Sequence, residues 1–315
     1  MNRWIACGVW AAASVAGGSV IAQSTDSAKP EMPAYKLRVK VDEVVITFHA
    51  ADANGRAVND LKLDELRLLE DGGTTGTIVG LQPRQDLPIR AGLLLDTSTS
   101  MQGHRVQDRL IAMDYARKVL RQTTDEAFVM DFGHSVTLMQ PWTHDREALA
   151  LAAREVASNG GVDGTALFDA IFEACHGQFG GIDHAASGNF LLLFTDGEDN
   201  ASFTTLQAAV DMCQKNSTAI YAFRAGGQDA GGSTGPATLA RLAQETGGRV
   251  FHDDDSLERV DTDLKTIDAD LRNQYRLMYR PVALKHDGAF HPMVLLGPDR
   301  VANVTVRSGY YAPVH

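Results

Sequence analysis

Between Ala91 and His252 five apolar runs recur: GLLLD (92–96), AFVMDF (127–132), FLLLFTD (190–196), AIYAFRA (219–225) and GRVFH (248–252). Each is too short to cross a bilayer and too evenly apolar to keep one face in water. A strand buried on both faces needs neighbours at its edges and helices above and below it. The pattern therefore restricts residues 89–272 to a doubly wound α/β domain with a mostly parallel sheet. The segments between the runs carry helical spacing: Val106, Leu110, Met113 and Leu120; Leu206, Val210 and Cys213; and Leu257, Val260, Leu264, Ile267 and Leu271. Ser256 is placed to cap the last of these helices.

Strand grammar flanks this domain on both sides. Leu37, Val39 and Val41 alternate with charged residues, and Asn54-Gly55 and Asp71-Gly72 are turn dipeptides, so residues 34–88 read as a β-rich segment. After the last helix Tyr275, Leu277 and Tyr279 alternate, as do residues around Val304 and Val306. Neither segment has enough strands to bury a face alone, so residues 273–315 are expected to pack with 34–88 as one small β module.

The first 22 residues have the form of a signal peptide: Arg3 leads a weakly hydrophobic segment that ends at Val20-Ile21-Ala22. An uncleaved anchor is the alternative. Residues 23–33 are polar and Pro-punctuated, a flexible leader. The chain is expected to be exported, periplasmic or secreted, with no membrane span after cleavage. Its net charge of −11 excludes the basic stripe that nucleic acid requires. Beyond the leader only Cys175 and Cys213 remain. Export argues for a disulfide, and the apolar stripes that carry both cysteines argue for buried thiols. The two weigh about evenly, and the expectation tips to free thiols.

Chemistry concentrates at the ends of the apolar runs. Asp96-x-Ser98-x-Ser100 follows GLLL, Gly164-Thr165 precedes a helical stretch, and Asp196 closes FLLLFT before Gly197. Open α/β sheets bind ligands outside the carboxyl ends of their strands, where strand order reverses. Two carboxylates and three hydroxyls are hard oxygen donors of the kind Mg²⁺ prefers. Asp, Ser and Thr at strand ends also serve as turn formers and helix caps, and DxSxS alone favours that structural reading.

The five positions together resemble the metal-ion-dependent adhesion site of von Willebrand factor type A domains. That likeness implies a six-stranded, mostly parallel, Rossmann-like sheet with helices on both faces. It also implies one divalent cation held by Asp96, Ser98, Ser100, Thr165 and Asp196: Mg²⁺, with Mn²⁺ or Ca²⁺ as alternatives. Asp163, Glu198 and Asp199 are candidates to support the ligands from behind, with exposed loop acids an equal reading. The flanks, Asp64 to Gly72, Gln274-Tyr275-Arg276 and Gly309-Tyr310-Tyr311-Ala312, resemble the bacterial VWFA-related family of acidobacterial type.

The resemblance implies a non-enzymatic, adhesion-type module whose protein partner supplies an acidic side chain as the last ligand. A structural envelope component with a vestigial site is the alternative, followed by a metal-dependent hydrolase. GGSTG (231–235) fits the GxSxG string of serine hydrolases, but it lies in a Gly-rich loop, 226–236, rather than on a strand-to-helix turn. His134, His144, His176 and His184 have no common ligand spacing. The last helix is either a fixed core element or one that slides between packing registers. Oligomeric state is not legible.

Overall fold

The first strands described are β1 (Val44–Ala51), β2 (Arg67–Glu70) and β3 (Thr77–Arg84). The structure, a computed structural model, describes residues 43–73, 76–156, 164–181, 187–225, 233–252, 256–282 and 286–312. The expected signal peptide and leader, the alternation at Lys36–Asp42, and Asp163 and His184 lie outside the described residues.

The α/β domain then runs β4 (Ile89–Asp96), α1 (Arg105–Asp114), β5 (Glu126–Phe132), β6 (Val136–Thr143), α2 (Arg146–Glu155) and α3 (Leu167–Glu173). It continues with β7 (Gly188–Thr195), α4 (Leu206–Lys215), β8 (Thr218–Arg224), α5 (Gly235–Thr246), β9 (Val250–His252) and α6 (Leu257–Arg272). Single π turns extend α1 through Tyr115–Val119 and α3 through Ala174–Gln178. The sheet order is β6-β5-β4-β7-β8-β9, six strands, parallel except for β6. This is the expected doubly wound α/β sheet.

Alternate residues of the buried strands face opposite helical layers. Leu93 and Leu95 of β4 and Phe190, Leu192 and Phe194 of β7 pack with α1, α2 and α6. Leu94, Leu191 and Leu193 pack with α3, α4 and α5. All eight residues of β7 are buried, which explains why its run shows no alternation. On α6 Val260, Leu264, Ile267 and Leu271 are buried as the spacing predicts, and the Ser256 hydroxyl caps the helix by accepting from the Arg259 amide.

Several expectations need correction. Val106 and Leu110 are exposed, and α1 instead buries Ile111 and Ala112, continued by Tyr115 and Ala116. Two apolar stripes run along this helix, and spacing alone does not say which meets the sheet. Strand β6 escaped notice because it is an edge strand with only partly buried side chains and a proline, Pro141. Gly235 and Pro236, read as loop, form the first turn of α5, where a proline needs no amide partner. Cys175 and Cys213 are joined in a disulfide, against the expectation of free thiols. Both cysteines do face the sheet, but α3 and α4 are neighbours on that face, so their apolar stripes meet.

After α6 come β10 (Gln274–Arg280), β11 (Phe290–Leu296), β12 (Asn303–Val306) and β13 (Gly309–Tyr311). They interleave with the first three strands: one sheet is β12-β1-β10-β3, the other β13-β11-β2. The two sheets enclose a core of Ile46, Phe48, Leu68, Tyr275, Leu277, Met293 and Leu295. Glu70 is buried in this sandwich, where its two oxygens accept hydrogen bonds from the hydroxyls of Tyr279 (2.8 Å) and Tyr310 (2.6 Å).

The last helix is tied at its carboxyl end. Arg272 donates to both oxygens of Asp125 (2.6 and 3.2 Å), to the Leu87 carbonyl (3.0 Å) and to Asp268 (2.6 Å). His49 of β1 meets the Asn273 carbonyl at 2.6 Å and Asp270 at 3.1 Å. Among the described residues no helix is long and apolar enough to cross a membrane.

Candidate metal centre

Parallel pairing of β4 with β7 sets Leu95 opposite Phe194, so Asp96 ends its strand level with Thr195. These two strands flank the point at which the strand order reverses. The Asp96 carboxylate is buried; it accepts from the Ser98 amide (2.8 Å) and from the Thr195 hydroxyl (2.6 Å). That geometry turns the chain back after the strand and brings the hydroxyls of Ser98 and Ser100 to 3.2 Å from each other. Arg105, at the start of α1, donates to the carbonyls of Thr97 and Ser98 (2.7 Å each) and so clamps the loop.

Thr165 arrives from the loop before α3 and is buried. Its amide donates to the Asn200 side chain (2.8 Å), and its carbonyl accepts from the amides of Asn200 (3.0 Å) and Ala201 (3.1 Å). The Thr165 and Asp196 loops are thereby laced together. Asp196 folds over its own turn by accepting from the Glu198 amide (3.0 Å). Two glycines make that turn possible. Gly197 has φ +86°, and a Cβ on Gly235 would lie 2.2 Å from the Asp196 carbonyl, so α5 starts directly against the loop.

The electrostatics suit a cation. Burial pushes the Asp96 carboxyl up to about 6; hydrogen bonds from Ser98 and Thr195 oppose that shift, and the neighbouring Asp196 charge adds to it. Among the described residues neither Asp96 nor Asp196 forms an ion pair with Lys, Arg or His. A divalent cation reverses this balance by giving both carboxylates a counter-charge. The separation of the two serine hydroxyls also fits, because adjacent ligands of an octahedral Mg²⁺ at ~2.1 Å lie about 3 Å apart. The residues present therefore match an oxygen-ligated divalent ion.

The supporting candidates have defined tasks. Glu198 accepts from the Ser233 and Thr234 hydroxyls and from the Gly235 amide, which secures the amino end of α5. Asp199 accepts from the Phe168 amide and the Ser202 hydroxyl at the start of α3. Ser233, the serine of the hydrolase-like string, thus pairs with a carboxylate and not with a histidine. Sequence reasoning overlooked Arg105 and Asn200, which position the metal loops; their signal was proximity to DxSxS and to Asp196. It also passed over Asp131, which lies opposite Leu95 on β5, is buried, and has its carboxyl raised by that burial.

A second group could meet around one ion. Glu70, Asp71 and His291 each present an atom within 4.8 Å of the others. Both Glu70 oxygens are already engaged by tyrosine hydroxyls, and His291 Nδ1 lies 3.0 Å from Asp71, while His291 Nε2 is buried without a partner.

Comparisons with known proteins agree with the fold. The family model described as von Willebrand factor type A domain matches residues 92–267. No curated protein sequence matches the chain. Among solved structures, the conserved hypothetical protein BatB from Bacteroides thetaiotaomicron is 16% identical over 57% of this chain and 97% of its own, with TM-score 0.48. An aerotolerance-related membrane protein from Bacteroides fragilis is 16% identical over 57% of this chain and 98% of its own, with TM-score 0.46. Proximal thread matrix protein 1 from the mussel byssus, solved with a zinc-occupied MIDAS motif, is 14% identical over 64% of this chain and 50% of its own, with TM-score 0.50. The chain spans about half the length of that mussel protein.

Proposed function

The chain belongs to the von Willebrand factor type A domain family, and from that premise we propose that it is an exported, non-enzymatic binding protein. It holds one divalent cation, Mg²⁺ foremost, through Asp96, Ser98, Ser100, Thr165 and Asp196. An acidic side chain of a protein partner completes the coordination. The observation that carries this reading is the buried Asp96 carboxylate beside Asp196, with no cationic side chain paired to either among the described residues and two hydroxyls at ligand spacing.

The donor set favours Mg²⁺ because it is all oxygen, without the sulfur or imidazole that softer ions prefer. Neutral hydroxyls leave the ion short of negative charge, so an incoming carboxylate gains more than a neutral ligand does. Glu198 and Asp199, the acids that follow Asp196, hold helix starts and are not poised as bases, which supports binding over bond-breaking. The Cys175–Cys213 disulfide supports export, since such bonds persist in oxidising compartments.

Pull-down from an envelope extract, with Mg²⁺ or with chelator, tests the reading. Partner recovery should require Mg²⁺ or Mn²⁺, with Ca²⁺ less effective. Thr165→Ala should weaken partner binding more than metal binding, because Thr165 comes from a loop separate from DxSxS. Equal recovery in chelator would show that the site is not the recognition surface.

A further inference from the structure

The sandwich and the α/β domain leave a cleft of about 380 Å³ between them. One wall is the face of β1, β10 and β12 turned away from the sandwich core. The other is formed by the amino ends of β7 and β8, at Asn189 and Ala219, and by the end of α6. Its volume falls in the range of small-molecule sites. The cleft lies at the opposite end of β7 from Asp196, about 20 Å away at the rise of a strand.

Strand register brings two arginines together there. Thr47 is paired with Arg276 across β1 and β10, and Arg307 follows Val306, the β12 partner of Phe48. Arg276 and Arg307 thus flank Thr47 on one sheet face, with backbones roughly 10 Å apart. Arg276 has no hydrogen bond or ion pair among the described residues, and its Nε is buried without a partner. Among the described residues Arg307 reaches the carbonyls of Val45 (3.0 Å) and Gln214 (3.3 Å) alone, and its Nε is likewise unpartnered.

Among the described residues no carboxylate offsets these charges. Asp270, the one acid in the lining, is committed to His49 at 3.1 Å and to Arg249 at 3.0 Å. Burial pushes the Arg307 guanidinium down to about 10, which still leaves it charged at neutral pH. Half-buried guanidinium groups without counter-ions are costly, and in a chain of net charge −11 their convergence in a cleft is not a by-product of basic composition.

We propose that this cleft binds a small organic anion, with its carboxylate or phosphate held between Arg276 and Arg307 over Thr47 and its apolar body against Val45 and Ala219. Guanidinium groups suit either oxyanion because their planar forks match both. The site is independent of the metal centre.

Isothermal titration calorimetry of the whole chain provides the test. Succinate and glycerol phosphate serve as charged probes, and succinamide and glycerol as their uncharged counterparts. A charged probe should bind saturably at millimolar concentration, more weakly as salt is raised, and equally well in the presence of chelator. Binding of succinate identifies a carboxylate ligand, and binding of glycerol phosphate identifies a phosphate ester. Arg276→Gln should lose affinity on the order of tenfold, as expected for one charged hydrogen-bonding group. Because Arg276 makes no internal hydrogen bond, this variant should keep its melting temperature in the absence of ligand. The proposal is overturned if neither charged probe binds, if the uncharged counterparts bind as well, or if Arg276→Gln binds unchanged.

Discussion

Asp125→Asn is the sharpest probe of how the last helix is held. One Asp125 oxygen accepts from the Ile89 amide (2.9 Å), the Thr124 hydroxyl and one Arg272 nitrogen. The other accepts from the Arg121 amide (2.7 Å) and a second Arg272 nitrogen. Both oxygens face only donors, so whichever way an asparagine amide is turned, its NH₂ points at N–H groups. The substitution also leaves Arg272, 4% exposed at its side chain, with Asp268 as its remaining carboxylate. Breaking a buried pair in this way costs about 3–5 kcal/mol. At roughly 2–4 °C per kcal/mol for a chain of this size, the melting temperature should fall by about 6–20 °C.

The pH dependence follows with a definite sign. Burial raises the Asp125 pKa, but Arg272 and the amides of Arg121 and Ile89 outweigh it and hold the carboxyl below its usual 3.8. Its stabilisation is therefore complete above the unfolded value and is lost as pH falls through the depressed folded value. Urea unfolding followed by circular dichroism should show a wide gap between parent and variant at neutral pH that closes in acid. A loss under about 1 kcal/mol, the scale of an exposed ion pair, or a gap that persists in acid, would refute the argument.

Two further substitutions test other parts of the molecule. Asp96→Ala should lower Mg²⁺ affinity by about tenfold or more while the fold survives; calorimetry showing unchanged Mg²⁺ binding would remove Asp96 from the ligand set. Thiol titration of the denatured, unreduced protein should find Cys175 and Cys213 unreactive. Reduction should then lower stability by up to about 4 kcal/mol, the loop-closure value for a separation of 38 residues; an unchanged unfolding midpoint after verified reduction would count against a stabilising cross-link.

The sheet was legible because buried parallel strands leave unbroken apolar runs, and the metal loops because their donors sit where such runs end. The unexpected features depend on relations that no local pattern carries. Both faces of α1 show helical spacing, and only the meeting of Ile111 and Tyr115 with the sheet decides which is inside. Strand β6 is half exposed and pairs antiparallel at an edge, so it lacks the run that marks its neighbours. The cysteine question turned on whether two apolar helix stripes touch, which spacing along each helix cannot decide. Asp125 and Arg272 are 147 residues apart, and each alone reads as an ordinary charged residue. The same holds for the cleft, whose arginines lie on strands that meet only after the sandwich closes. Asp196 was identified by its place after a strand, whereas the work of Glu198 in holding α5 depends on a helix start, Gly235-Pro236, that the sequence pattern places in a loop.

Interleaving of strands from the two ends of the chain also sets an order of assembly. Among the described residues the strands that pair along β1 are β10 and β12, with His49 and Asn273 separated by 224 residues. The α/β sheet, whose six strands all lie within residues 89–252, can form while those partners are still being made. At about 5–20 residues per second, β1 waits on the order of ten seconds or more with an apolar edge unpaired. During that interval VVITFHAA is a nascent-chain hazard, open to another strand or to a chaperone. Closing the sandwich is then the late step that brings the first and last strands together and removes the hazard.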